Sequence, residues 1–132
     1  MRYAIMMLLL LASVKGVAQT TYDAKEYARK PVWIEMIKDT AVNFFEAEKA
    51  FNTYFKHHEK PEGEAEDIGE HAKREKYPSK REQREMQREN HMRMDVKRYE
   101  HWRDMMRPYV QGDGIIPGPA RRLEIHRQVT GK

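Results

Sequence analysis

Six histidines are the residues of this chain best suited to bind a metal ion, so their spacing matters. They are His57, His58, His71, His91, His101 and His126. A helical zinc site needs two histidines four residues apart on one face, with a third ligand nearby. No pair in this chain has that spacing. Cu(I) is the alternative ion, because thioether and imidazole ligands suit it, and its candidate ligands are His91, Met92 and Met94.

Hydrolytic catalysis has few candidate residues in this chain. Ser79 is the one serine beyond the first eighteen residues, and with Glu82 three residues later it has the spacing of a helix capping box. The sequence contains no Gly-x-Ser-x-Gly motif and no cysteine. Carboxylates are frequent, but in so charged a chain they are typical of solvated helix faces. We therefore expect a protein that is not an enzyme and that uses no cofactor.

Segment 73–98 is the best candidate for binding a polyanion, because it carries ten basic and five acidic residues. Such a charge excess favours phosphate or acidic-glycan ligands. The wider segment 56–100 holds twelve residues of each sign, so its acidic first half can neutralise its basic second half. A solvated charged helix is the simpler interpretation. Periplasmic polyanion or metal binding is the alternative function, and no nucleic-acid partner is expected.

The first eighteen residues have the layout of a cleavable secretory signal. Arg2 precedes an uncharged apolar run at 4–12, and small residues at 16–18 precede a cleavage site at Gln19. At 1.5 Å per residue the run spans about 14 Å, too short for a hydrocarbon layer of about 30 Å. We expect an exported protein that is periplasmic, on the cell surface or secreted, with no transmembrane segment after cleavage.

The remaining 114 residues favour one small all-α domain with disordered flanks. Leu, Ile, Val and Phe contribute 16 of them, below the level of about 20% that usually supports an ordered core. The net charge of the whole chain is only +4. We divide this part into a polar tether at 19–30, a short helix plus an aromatic amphipathic helix at 31–60, a charged disordered loop at 61–78, a long charged helix at 79–107, and an irregular Gly/Pro-rich tail at 108–132.

Two of these helices carry apolar faces that can pack together. Asn43 and Glu46 have the spacing of a capping box at the start of the first helix, and Ser79 and Glu82 have it at the start of the second. Apolar residues then recur at helical spacing along both. The simplest assembly is an antiparallel pair of these two helices. Trp33 and Met36, from the short helix before them, are expected to close one end of the pair. The expected core and interaction residues are Trp33, Met36, Phe44, Phe51, Tyr54, Phe55, Val96, Tyr99, Trp102 and Met106.

Part of this aromatic pattern resembles a known type of segment. The series is Trp33-Ile34-Glu35-Met36, Asn43-Phe44, Phe51-Asn52-x-Tyr54-Phe55 and Lys97-Arg98-Tyr99-Glu100-x-Trp102. It is similar to the segment just behind the signal peptide of large exported proteins of the type IX secretion system, which usually have Trp at the positions of Phe55 and Tyr99. A charged insertion, roughly 59–94, separates the two blocks here, and we expect neither the β-rich body nor the sorting domain of those proteins. The resemblance implies an envelope or extracellular setting and docking on a larger protein, and it carries no catalytic residues.

These observations predict a non-enzymatic, exported helical docking protein. Its partner is expected to be a protein of the cell envelope or the extracellular space. The two apolar faces either close on each other as an ordinary core or complete their burial on that partner.

Overall fold

The computed structural model describes residues 22–61 and 77–131. The fold is all-α, with helix accounting for 69% of these residues and no strand among them. The helices, in order, are α1 (Ala24–Arg29), α2 (Trp33–Met36), α3 (Phe44–His57), α4 (Lys80–Met106) and α5 (Pro119–Thr130), with a 3-10 turn at Arg107–Tyr109. The expected signal at 1–18 and most of the expected loop, 62–76, lie outside the described residues. Within the two ranges, no helix has both the length and the apolar character to cross a membrane.

The two longest helices begin at side-chain caps. Asn43 accepts hydrogen bonds from two backbone amides in the first turn of α3, at 3.0 and 3.3 Å. Glu46, which a capping box would turn back to the Asn43 amide, accepts a hydrogen bond from the Tyr27 hydroxyl. At α4 the capping box is complete: Ser79 Oγ accepts from the Glu82 amide, and the Glu82 carboxylate accepts from the Ser79 amide. The caps satisfy amides that have no partner within the helix.

The core consists of aromatic rings from α2, α3 and α4. Phe51 stacks on Tyr99 with ring centroids 3.9 Å apart, and Phe44 stacks on Trp102 at 5.4 Å. The residue numbers rise along α3 while they fall along α4, so the two helices run antiparallel. Trp33 is completely buried, and its ring lies 5.1 Å from Phe51 and 5.7 Å from Tyr99. Trp33, predicted to close one end of the pair, contacts a ring of each helix.

Segment 19–30, predicted as a polar tether, contains α1. Tyr27 is only 3% exposed, and its hydroxyl donates a 3.1 Å hydrogen bond to Oε2 of Glu46 in α3. The carbonyl oxygen of Ala28 lies 3.0 Å from Nε2 of His58, just beyond α3. The prediction was wrong because one buried ring and its hydrogen bond dock a short helix that has no apolar stripe of its own.

Segment 108–132, predicted as an irregular tail, contains α5. Pro119 occupies the first turn, and Gly131 ends the helix with a φ of +66°. Proline at the start and glycine just past the end are the favoured residues at those positions. The proline and the glycine at its two ends favour a helix in this segment. Its low apolar content alone predicts an irregular segment.

The turn before α5 returns to the start of α3. The Gly114 carbonyl accepts a hydrogen bond from the Phe44 amide, and Nδ2 of Asn43 donates to the Asp113 carbonyl, both at 2.8 Å. An isolated antiparallel bridge pairs Asn43 with Ile115. Gly114 has a φ of +83°, in the left-handed region that favours glycine. Residues about seventy positions apart are therefore joined at one point.

Candidate interaction site

Most of the predicted core and interaction residues are buried in the core of the domain. Phe55 and Trp102 are half-buried against the aromatic cluster, and Met106 is half-buried at the end of α4. The rings close on one another, which leaves little of their surface for a partner. The others are buried: Trp33, Met36, Phe44, Phe51, Tyr54, Val96 and Tyr99.

Two polar atoms in this cluster have no hydrogen-bond partner. They are the Tyr99 hydroxyl and Nε1 of Trp33, and both residues are at most 1% exposed. Burial raises the pKa of Tyr99 above its ordinary value, and the nearby charge of Glu48 raises it further. The phenol therefore stays protonated well above neutral pH. The stacked rings of the cluster supply packing.

The candidate Cu(I) ligands do not converge. Nδ1 of His91 lies 2.9 Å from the Gln87 carbonyl oxygen in the preceding turn. Met92 packs against the core, whereas Met94 is 54% exposed. Within residues 22–61 and 77–131, no three His, Cys, Asp or Glu side chains are grouped so that they could hold a metal ion.

The basic segment that was a candidate for polyanion binding carries acidic side chains beside its basic ones. Its residues 73–76 lie outside the described ranges, and the rest belongs to α4 and its N-cap region. Helically spaced ion pairs link basic and acidic side chains here at 3.0 to 3.6 Å, and most of these side chains are exposed. Such pairs contribute little stability, but they place opposite charges next to each other along the helix. The pairs are Arg81–Glu85, Arg93–Glu89 and Arg98–Asp95.

The surface that sequence reasoning missed is α5. No residue of this helix is buried, and Leu123 and Val129 are 51% and 80% exposed. The helix contacts the end of α4 through Arg122, whose Nη1 lies 3.0 Å from Sδ of Met106. A thioether is a weak acceptor, and Nε of Arg122 is buried with no acceptor at all. The glycine and proline spacing at the two ends of α5 is the sequence signal that could have identified the helix.

A second exposed apolar pair flanks the turn at Gly114. Phe45 is 47% exposed and Ile115 is 49% exposed. The Phe45 ring lies against the turn, because a Cβ atom at Gly114 would sit 2.7 Å from its Cδ2. This pair forms a small apolar surface beside the Gly114 turn.

Known proteins give no guide to the function of this chain. Family models, curated proteins and solved structures each give no match to the chain. The contacts of the described residues and the sequence patterns are therefore the basis for assigning a function.

Proposed function

We propose that the chain is a non-enzymatic, exported helical docking protein that binds a partner protein of the envelope or extracellular space through α5. The observation that carries this proposal is a 12-residue helix without a buried residue. Isolated helices shorter than about 12–15 residues are marginal in water. Leu123 and Val129 can bury on a partner, at about 1.5–3 kcal/mol for each side chain that becomes fully buried.

The remainder of the domain supports this role by holding α5 in place. Stacked rings fix α4 against α3, and Arg122 connects α5 to Met106 at the end of α4. This polar contact leaves Leu123 and Val129 exposed for another molecule, while Ile125 is half-buried. The partner thus meets a helix that lies beside the end of α4, and binding supplies the burial that this short helix lacks.

The exported setting rests on two features of the sequence. One is the signal-like layout of the first eighteen residues. The other is the resemblance to the aromatic segment of type IX exported proteins, in which docking on a larger body is the implied role. Together they favour an envelope or extracellular protein as the partner.

A cross-linking capture experiment tests this proposal. The exported protein is cross-linked to envelope proteins of the producing cell, beside a double variant, Leu123→Ser with Val129→Ser. The control is Met94→Ser, because Met94 is about as exposed as Leu123 but lies on α4. We expect one protein captured by the wild type and the control, and at least a tenfold loss with the double variant, since each 1.4 kcal/mol is about tenfold in affinity. Equal capture by the double variant, or no captured protein, would refute the proposal.

A further inference from the structure

An open cavity of about 450 Å³ lies between α1, α2 and the start of α3. Met36 and Val42 give it apolar surface. The rings of Tyr22 and Tyr27 also line it, with their centroids 6.3 Å apart. Its volume is within the range of about 300–1,000 Å³ that small-ligand pockets occupy. The cavity is large enough for one long side chain of another protein.

The polar lining of this cavity is mostly acidic and comes from separate elements. Glu35 of α2, Asp39 of the following turn and Glu46 of α3 line it together with Lys49. Glu35 pairs with Lys38 at 2.7 Å, and Glu46 lies 3.8 Å from Lys49. These side chains are all at least half exposed, so both pairs are weak and open to competition by another cation.

One carboxylate is held in position by a buried tyrosine. The Tyr27 hydroxyl donates to Oε2 of Glu46 at 3.1 Å. Burial, followed by the hydrogen bond to Glu46, raises the pKa of Tyr27 to about 12. The phenol therefore remains a donor at neutral pH and holds the Glu46 side chain at the cavity. A carboxylate held beside aromatic and apolar surface selects one kind of cationic side chain better than exposed acidic side chains alone.

We infer that this cavity binds an arginine side chain presented by a protein partner. The alkyl stem of arginine can pack on Met36 and Val42, because long basic side chains bury their stems on apolar surface. Its planar guanidinium can stack on the half-buried ring of Tyr22 and donate to the carboxylates. The inference goes beyond the docking of α5, since the cavity lies on α1, α2 and α3 and its test needs no natural partner.

Peptide titration tests the inference with the full exported chain. The probes are the capped pentapeptide Gly-Gly-Arg-Gly-Gly and the same peptide with citrulline, the neutral isostere of arginine. Binding is followed by the amide chemical shifts of the protein. We expect shifts centred on the cavity and an affinity for the arginine peptide at least about threefold above that for citrulline, from the cation–π and ion-pair contributions.

Two variants of the lining and one control complete the experiment. Glu46→Gln removes a charge while its carbonyl still accepts from Tyr27, and Tyr22→Leu removes a ring. Each is expected to weaken binding of the arginine peptide about two- to fivefold and to leave the citrulline peptide unchanged. Glu85→Gln, on an exposed part of α4, is expected to change neither.

Several results would overturn the inference. They are absence of binding, equal affinity for the two peptides, shifts centred away from the cavity, or unchanged binding by both lining variants. Each of these leaves capture through α5 unaffected. Equal capture by the α5 double variant, conversely, says nothing against the cavity, so the two proposals fail separately.

Discussion

Substituting alanine at Gly114 perturbs the point where the C-terminal turn meets the start of α3. The backbone there has a φ of +83°, which L residues with a Cβ atom rarely adopt. An added Cβ would lie 2.4 Å from Oδ1 and 2.8 Å from Nδ2 of Asn43. The same amide caps α3 and donates to the Asp113 carbonyl. Relief of the overlap therefore requires that Asn43 leave its capping position.

The loss in the free energy of unfolding has two parts. A left-handed conformation costs a residue with a Cβ about 1–2 kcal/mol. Loss of the Asn43 cap costs about 0.5–2 kcal/mol. We expect Gly114→Ala to lower the free energy of unfolding by about 1.5–4 kcal/mol, which for a domain of this size lowers the Tm by about 6 °C or more.

Circular dichroism at 222 nm during thermal and urea unfolding measures this loss. The matched control is Gly112→Ala, two residues earlier in the same turn. Gly112 has no positive φ, and a Cβ there meets no heavy atom within 4 Å. We expect the control to stay within about 0.5 kcal/mol of the wild type. Equal stability of the two variants would refute the close contact between the turn and α3.

Three further predictions concern single side chains. Tyr99→Phe removes a buried hydroxyl without a partner and should leave the urea-derived stability unchanged or up to about 1 kcal/mol higher, whereas Tyr27→Phe should lower it by about 1 kcal/mol. The reverse order would contradict the assigned hydrogen bonding. Tyr27 keeps its proton up to about pH 12 in the folded chain but loses it near pH 10 in the unfolded chain. The wild type should therefore lose stability relative to Tyr27→Phe as the pH rises from 10 to about 12. Parallel curves of stability against pH for the two proteins would contradict the raised pKa of Tyr27. Ser79→Ala should weaken the start of α4 by about 1 kcal/mol and reduce the 222 nm signal, and an unchanged signal would count against the capping box.

The helices with strong local signals are those the sequence could predict. Asn43 caps α3, and the Ser79 capping box starts α4, because cap chemistry depends on residues a few positions apart. The aromatic spacing also predicts which rings face the core. It does not predict the order of the rings within it, since the central position of Trp33 depends on how α2 packs across two helices.

The elements missed from the sequence depend on contacts between distant segments. α1 is docked by the bond from Tyr27 to Glu46, nineteen residues later. The turn at Gly114 is docked by Asn43, about seventy residues earlier. Neither partner carries a local pattern that identifies the other. The α5 surface was missed for a different reason: its few apolar residues form no strong stripe, and their exposure becomes evident only in three dimensions.

Hydrogen–deuterium exchange of the isolated chain tests most directly whether α5 lacks burial of its own. The account predicts that the α5 amides exchange with little protection while those of α3 are protected close to the global free energy of unfolding. Equal protection of α5 and α3 in the isolated monomer would show that the helix is stabilised by its own chain, and would contradict the proposal that it awaits a partner.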